Sequence, residues 1–462
     1  MGRGFPSTAV HKMIFRALVL LLALLSACAP APAPEAAPTW LLIPDPTSSP
    51  GSTPIRELPT PSPQAVPSQQ PEPELGLTHQ RLDGNRLVTG SGGMPAEPID
   101  IPLAGKPLWV VAAPLSSGSV WVTTLEDGQV QAFKVVGDAF SEISLNVSRL
   151  PAGMPPVLQA AGERIALISP ASDASPTTNP ILLEDGAQAY LDADGQLRLI
   201  RQEAAYSLPV GALPDARILS DGEGRLLFLS TPTTEYPHGV LGDEFEAKTI
   251  TLVNTINTPD ILRVIQIDLG DVIEGIAPIW VDLDGDGGRE IIVTQSSTVS
   301  GARIVVYRED GSLFASGEPI GQGFRWRHQL AVGQFIEGGP QEIAVIRTPH
   351  IGGVIEIYTV EQDRLVIRAE LSGYSSHQIG SRNLDSALAA DFDGNGRIEI
   401  VVPGQSQTVL AGIEMIGTQL KVAWEAPVGG RLSTNITAVA LSTGRIALGV
   451  GQDQNRLRIW SP

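Results

Sequence analysis

The stretch Asp282-Leu283-Asp284-Gly285-Asp286-Gly287-Gly288-Arg289-Glu290 carries acidic side chains at its first, third, fifth and ninth positions and runs directly into Ile291-Ile292-Val293. Carboxylates at that spacing converge on one point if the backbone turns tightly, and the intervening glycines permit the turn. Such a knot repels itself unless a cation joins it. A second copy, Asp391-Phe392-Asp393-Gly394-Asn395-Gly396-Arg397-Ile398-Glu399, runs equally directly into Ile400-Val401-Val402. Hard oxygen donors with no His or Cys beside them point to calcium, whose shell of about six to eight ligands suits several carboxylates and a backbone carbonyl. The ligands expected are Asp282, Asp284, Asp286 and Glu290 with the Gly288 carbonyl, and Asp391, Asp393, Asn395 and Glu399 with the Arg397 carbonyl. The alternative is a pair of acidic, solvated turns that hold no metal. If both bind, the carboxylate lost to Asn395 makes the second site the weaker.

The elements around these loops are strands. An EF-hand needs a Glu at its twelfth position and flanking helices, whereas Val293 and Val402 stand there inside strand-like runs. The first loop lies between Ile279-Trp280-Val281 and Glu290-Ile291-Ile292-Val293, the second between Leu388-Ala389-Ala390 and Glu399-Ile400-Val401-Val402. The same strand, turn and strand recur from Trp109, Val157, Ala216, Leu330 and Ala438, giving seven units at a spacing of roughly 50 to 60 residues. Asp127-Gly128, Asp194-Gly195 and Asp310-Gly311 mark further hairpins. High glycine and proline and no long helical period favour an all-β chain. These features predict a seven-bladed β-propeller of four-stranded antiparallel blades over 77–462. Its last unit is one strand short after Arg456-Leu457-Arg458-Ile459-Trp460, and Pro98-Ile99-Asp100-Ile101-Pro102 is expected to supply the outer strand and close the ring.

The two acidic loops resemble the FG-GAP or VCBS repeats of integrin-like propellers and many bacterial surface proteins. Val332-Gly333-Gln334-Phe335-Ile336-Glu337-Gly338-Gly339 resembles a decayed copy, and the other units share only the hydrophobic frame. Glu290 and Glu399 depart from the Asp more usual at the ninth place. The resemblance implies calcium that ties the first two strands of a blade together, a structural role.

The start of the chain has a different texture. His11, Lys12 and Arg16 precede the apolar run Ala17-Leu18-Val19-Leu20-Leu21-Leu22-Ala23-Leu24-Leu25, which is short for a bilayer span and is expected to be an export signal over 1–27, with Met13 an alternative start. It ends in Leu25-Ser26-Ala27-Cys28, which resembles the lipobox of bacterial lipoproteins, and Cys28 is the single cysteine of the chain. The resemblance implies that Cys28 is lipidated and anchors the protein outside the cytoplasm, to the outer or the cytoplasmic membrane. Residues 28–76, rich in Pro, Ala, Ser, Thr and Gln, are expected to form a disordered stalk reaching on the order of 100 Å. Within it, Trp40-Leu41-Leu42-Ile43 is an apolar island that could dock or merely sit in the linker.

The net charge of -19 argues against nucleic acid as a partner. In a meander, loops joining the second strand to the third, and one blade to the next, lie on the face opposite the acidic loops. The long ones, around 231–247, 171–180, 322–328 and 374–385, therefore crowd that face, and Tyr236, His238, Trp326, Phe324 and Tyr374 are the residues placed there to meet a ligand. Six histidines are scattered at 11, 79, 238, 328, 350 and 377, and no HExxH or GxSxG motif accompanies them. The expectation is a non-enzymatic binding or scaffolding module for a protein or polysaccharide. The alternative is an extracytoplasmic glycosidase or lyase on the same scaffold, which would need two carboxylates in a deep central pocket.

Overall fold

The computed structural model describes residues 75–462. The expected signal segment, Cys28 and nearly all of the expected stalk lie outside the described residues. Among those described, all regular structure is β-strand. Strands form where Val, Ile and aromatic residues run for a few positions between glycine-containing turns. In one unit Ile279–Val281, Glu290–Ser297, Gly301–Arg308 and Leu313–Gly317 hydrogen-bond in antiparallel succession. The same four-stranded meander recurs at 107–143, 181–208, 219–266, 327–372 and 388–427.

The ring closes as expected. Leu432–Ala440, Ile446–Gln452 and Arg456–Trp460 form three strands of a sheet, and Pro98–Pro102 pairs with the last of them, Pro98 opposite Trp460 and Pro102 opposite Arg456. Ile101, Ile459 and Leu457 of this sheet share a core with Trp121 and Phe133 of the first meander. The approach is tight, because a Cβ on Gly449 would lie 2.2 Å from the Trp121 ring. Similar cores fill the other gaps, as where Ile292 and Val306 meet Ile343 and Tyr358. The fold is an all-β propeller.

Two expectations need correction. The single unit read between 144 and 209 is two sheets: Leu158–Ala161 and Arg164–Leu167 belong to one, and 181–208 is a meander of its own. Among the described residues the strands thus group into eight units, where seven were expected, three of them joined edge to edge in one 13-stranded sheet. The extra one is hard to read because its first strand, Ile181–Leu182, is too short to show an alternating period. The strand completing the Leu158–Ala161 sheet is Leu75–Leu77, which lies partly before the expected boundary at 77.

The centre of the ring is filled by chain. Residues 78–91 cross it and bond to the inner strands of successive sheets. Ser220 N–H donates to the Leu82 carbonyl at 2.7 Å and Trp280 N–H to the Asp83 carbonyl at 2.8 Å. The Asn85 amide bonds both polar groups of the Val332 backbone, and Ala389 N–H donates to the Arg86 carbonyl. Leu87–Ser91 then runs parallel to Leu388–Asp391. At this hub Asp385 is buried between Arg86 Nε at 2.9 Å and Arg217 Nη1 at 2.6 Å, with His79 Nε2 at 3.7 Å. Burial pushes the Asp385 carboxyl up, but the Arg217 and Arg86 charges outweigh it and hold it down to about 2.

Candidate metal centres and the opposite face

Each acidic loop joins the first and second strands of its sheet and turns on glycines in the left-handed region, Gly285 and Gly287 at φ of 79° and 90°, Gly394 and Gly396 at 79° and 86°. One carboxylate oxygen from each of Asp282, Asp284 and Glu290 lies within 4.8 Å of the others, and Asp391, Asp393 and Glu399 make the same set. Both clusters can hold a metal ion. In each, the buried ninth-place Glu reaches back to the second residue of the loop: Leu283 N–H donates to Glu290 Oε2 at 2.9 Å and Phe392 N–H to Glu399 Oε2 at 2.6 Å. That bond staples the loop and aims the other carboxylate oxygen at the cluster.

The fifth-position side chains also bond within the loop. Asp286 Oδ1 accepts from Gly288 N–H at 2.7 Å, and Asn395 Oδ1 accepts from Arg397 N–H at 2.8 Å, so both side chains cap the turn two residues ahead. The Asn395 amide also donates to Asp393 and Glu414, and Arg397 Nε pairs with Glu414 Oε2 at 2.7 Å. Of the two residues expected to lend carbonyls, Gly288 is exposed and Arg397 half-buried.

The second cluster holds two buried acceptors. Asp391 Oδ1 and Glu399 Oε1 are buried with no hydrogen-bond partner among the described residues. Burial, opposed by the Phe392 N–H and reinforced by the Asp393 and Asp391 charges, pushes the Glu399 carboxyl up to about 8. Burial likewise raises Glu290, against the Leu283 N–H and with the charges of Asp284, Asp286 and Asp282. The decayed copy at 334–342 keeps the staple and loses the cluster. Phe335 and Ile336 N–H both donate to Glu342 Oε2, at 2.9 and 3.1 Å, while Gln334 stands at the first position and Ile336 at the third.

The loops around 231–247, 322–328 and 374–385 meet through an aromatic cluster. Tyr236 packs edge-on against Phe324 at 4.9 Å between ring centroids, and the His238 ring stacks on Phe324 at 5.4 Å. Trp326 stacks on His328 at 4.9 Å and meets His377 edge-on at 5.1 Å. Tyr236 and Trp326 are buried, so neither offers a free stacking surface, whereas Phe324 is 49% exposed. Tyr374 is not part of this cluster. It is buried in the core between the 327–372 and 388–427 sheets with Leu330 and Val402.

Sequence reasoning missed the assembly of four of the six histidines, His238, His328, His350 and His377, around Trp326. The available signal was that each lies on or beside a loop of this one face. His238 Nδ1 contacts Glu274, whose other oxygen accepts from Ser296 Oγ. Nearby Glu246 is pushed well above the usual carboxylate range by burial first and by the Glu274 charge second.

No family model matches this sequence, and no curated protein matches it either. Among solved structures the chain is similar to a catalytically inactive virginiamycin B lyase from Staphylococcus aureus with quinupristin, at 10% identity and a TM-score of 0.41, covering 79% of this chain and 99% of that one. It is also similar to the Swd1 β-propeller domain of Myceliophteria thermophila, at 9% identity and a TM-score of 0.40, covering 79% of this chain and all of that one.

Proposed function

We propose that this is an extracytoplasmic β-propeller, lipid-anchored through Cys28, that calcium stiffens through loops of the FG-GAP or VCBS type. It acts as a non-enzymatic module, and its protein or polysaccharide partner binds the face opposite those loops. The observation that carries the reading is the pair of three-carboxylate clusters at equivalent places in two sheets, one with two buried oxygens lacking any donor among the described residues. Unpaired buried acceptors are costly, and an ion removes that cost for both at once. The assignment to calcium rests on the all-oxygen donor set. Thermal melts of chelated protein with calcium added back test it: the melting temperature should rise saturably with calcium, and an unchanged temperature would overturn the structural role.

The anchor is tested separately. Cys28→Ala should release the protein from membranes, and a variant that stays bound would remove the lipid anchor from the reading. The enzymatic alternative needs a deep central pocket, and residues 78–91 run where that pocket would lie. A recess of about 380 Å³ beside them is lined by His79, Asp83, Asp221 and Arg289 among others. A glycan array and a pull-down with the calcium-loaded protein separate the two classes of partner.

A further inference from the structure

The two acidic loops differ in what they grip outside themselves. In the first, both oxygens of Asp282 accept from the loop's own backbone, Oδ1 from Gly285 N–H at 2.7 Å and Oδ2 from Gly287 N–H at 3.0 Å. The Asp282 carbonyl accepts from Gln341 Nε2 at 2.8 Å, so the partner beyond the loop belongs to the 327–372 meander. Among the described residues no hydrogen bond joins 75–102 to the loop 282–290.

The second loop is tied to that N-terminal segment. Ser91 lies level with Asp391 in the parallel pair, and its hydroxyl donates to Asp391 Oδ2 at 2.6 Å. Gly92 N–H donates to the Asp391 carbonyl and Met94 N–H to the Phe392 carbonyl, both at 2.8 Å. A Cβ on Gly394, at the turn of the loop, would lie 3.3 Å from the Gly92 Cα. The same residues bond the last sheet on their other side, Ser91 N–H to the Gly444 carbonyl at 3.0 Å and Ile446 N–H to the Gly92 carbonyl at 2.7 Å. Shortly after Met94 the closing strand Pro98–Pro102 begins.

Asp391 therefore faces two ways. Its Oδ2 is taken by Ser91 Oγ and by Gly396 N–H at 3.2 Å, while Oδ1, like the fully buried Glu399 Oε1, has no partner among the described residues. A cation held by the two free oxygens fixes the Asp391 carboxylate, and through it the hydroxyl that grips the other side. Linkage makes the effect reciprocal: whatever the seated segment adds to cation affinity, the cation adds to the seating of the segment.

We propose that Ser91 is a positioning residue for a cation at the Asp391 cluster, and that a cation bound there locks the segment 87–102, closing strand included, onto the ring. The first cluster, without contact to that segment, stiffens its own sheet only. The inference rests on the calcium reading above and adds a division of labour between the two sites.

The test is hydrogen exchange of the full chain, with calcium and with chelator, followed by mass spectrometry on peptides covering 87–102. Calcium at ten times Kd should slow exchange there about tenfold. Asp393→Ala should abolish the slowing and Asp284→Ala should leave it. In the Asp284→Ala background, where the second site remains, Ser91→Ala should weaken calcium binding about tenfold by titration calorimetry, and Ser91→Thr, which keeps the hydroxyl, should restore it. If two calcium ions bind but exchange at 87–102 is unchanged, or the slowing survives Asp393→Ala, the lock is overturned and the calcium reading stands. Ser91→Thr binding as weakly as Ser91→Ala would remove Ser91 from its positioning role. A chain that binds no calcium at all overturns both the reading and the lock.

Discussion

The hub and the acidic loops both gather charge, and they resolve it in opposite ways. At the hub one carboxylate, Asp385, meets two guanidinium groups supplied by the chain itself, Arg86 and Arg217. In each acidic loop three carboxylates meet with no basic side chain among them. The loop between Leu219–Ser220 and Arg225–Thr233 shows the first solution in a small format: Asp221 takes the Glu223 and Arg225 N–H groups and pairs with Arg225 Nε at 2.6 Å. A charge settled within the chain is indifferent to the medium, whereas a charge left for the medium to settle couples the fold to it. The loop at 334–342 is the internal control, with the same staple and no excess of carboxylates. Its Glu342 Oε1 also lacks a partner among the described residues, and burial raises that carboxyl.

The contrast can be broken experimentally. The largest effect is expected from Asp385→Asn, which strands two buried guanidinium groups and should cost about 3–5 kcal/mol in urea unfolding, equally with and without calcium. A calcium-dependent loss would show that hub and loops are not separate. Glu342→Ala leaves one buried and one part-buried N–H unpaired and should cost about 1–3 kcal/mol, again without calcium dependence. Asp284→Ala and Asp393→Ala should do little to the chelated protein but remove the calcium increment, about 1.4 kcal/mol per site when calcium stands at ten times Kd. Titration calorimetry of the two variants should find the site that survives in Asp284→Ala, the one with Asn395, to be the weaker.

The hub also has a pH signature. Burial first, then the Arg217 charge, hold His79 down to about 3 from 6.5, and Asp385 sits at about 2 against an ordinary 3.8. Both take up protons more readily in the unfolded chain, so their stabilisation is complete above about pH 6.5. It is lost as the pH falls, between 6.5 and 3 for His79 and between 3.8 and 2 for Asp385. Unfolding midpoints should therefore decline from pH 7 to about 4, and His79→Gln should flatten that decline. Equal slopes in both proteins would remove His79 from the account.

Much of this was legible in the sequence because the acidic loops and their flanking Ile and Val runs are local features. Asp282 to Glu290 names its own turn, its own strands and its own donors. The closing strand at 98–102 was legible from an edge left open after Trp460. The fifth-place residues were less legible, because Asp286 and Asn395 can serve as ligands or as turn caps, and in the structure each accepts the N–H two residues ahead, of Gly288 and Arg397. The eighth sheet escaped because a strand of two residues has no period. The histidines escaped for a different reason: their positions at 238, 328, 350 and 377 have no common spacing, and one strand with three connections brings them together. Tyr374 fits the same face by loop position, yet the side chain turns into the core.

The segment 75–102 sets a timetable for the whole molecule. It pairs with strands scattered along the sequence, and the Asp100–Arg458 contact spans 358 residues. Local meanders can form as soon as their own four strands exist, but this segment cannot settle until distant sheets have been made to receive it. The earliest part of the propeller is therefore the last to become native. Until it does, the inner strands stand around an empty axle with edges unpaired, which is when the chain is most open to wrong partners and most in need of a holding chaperone.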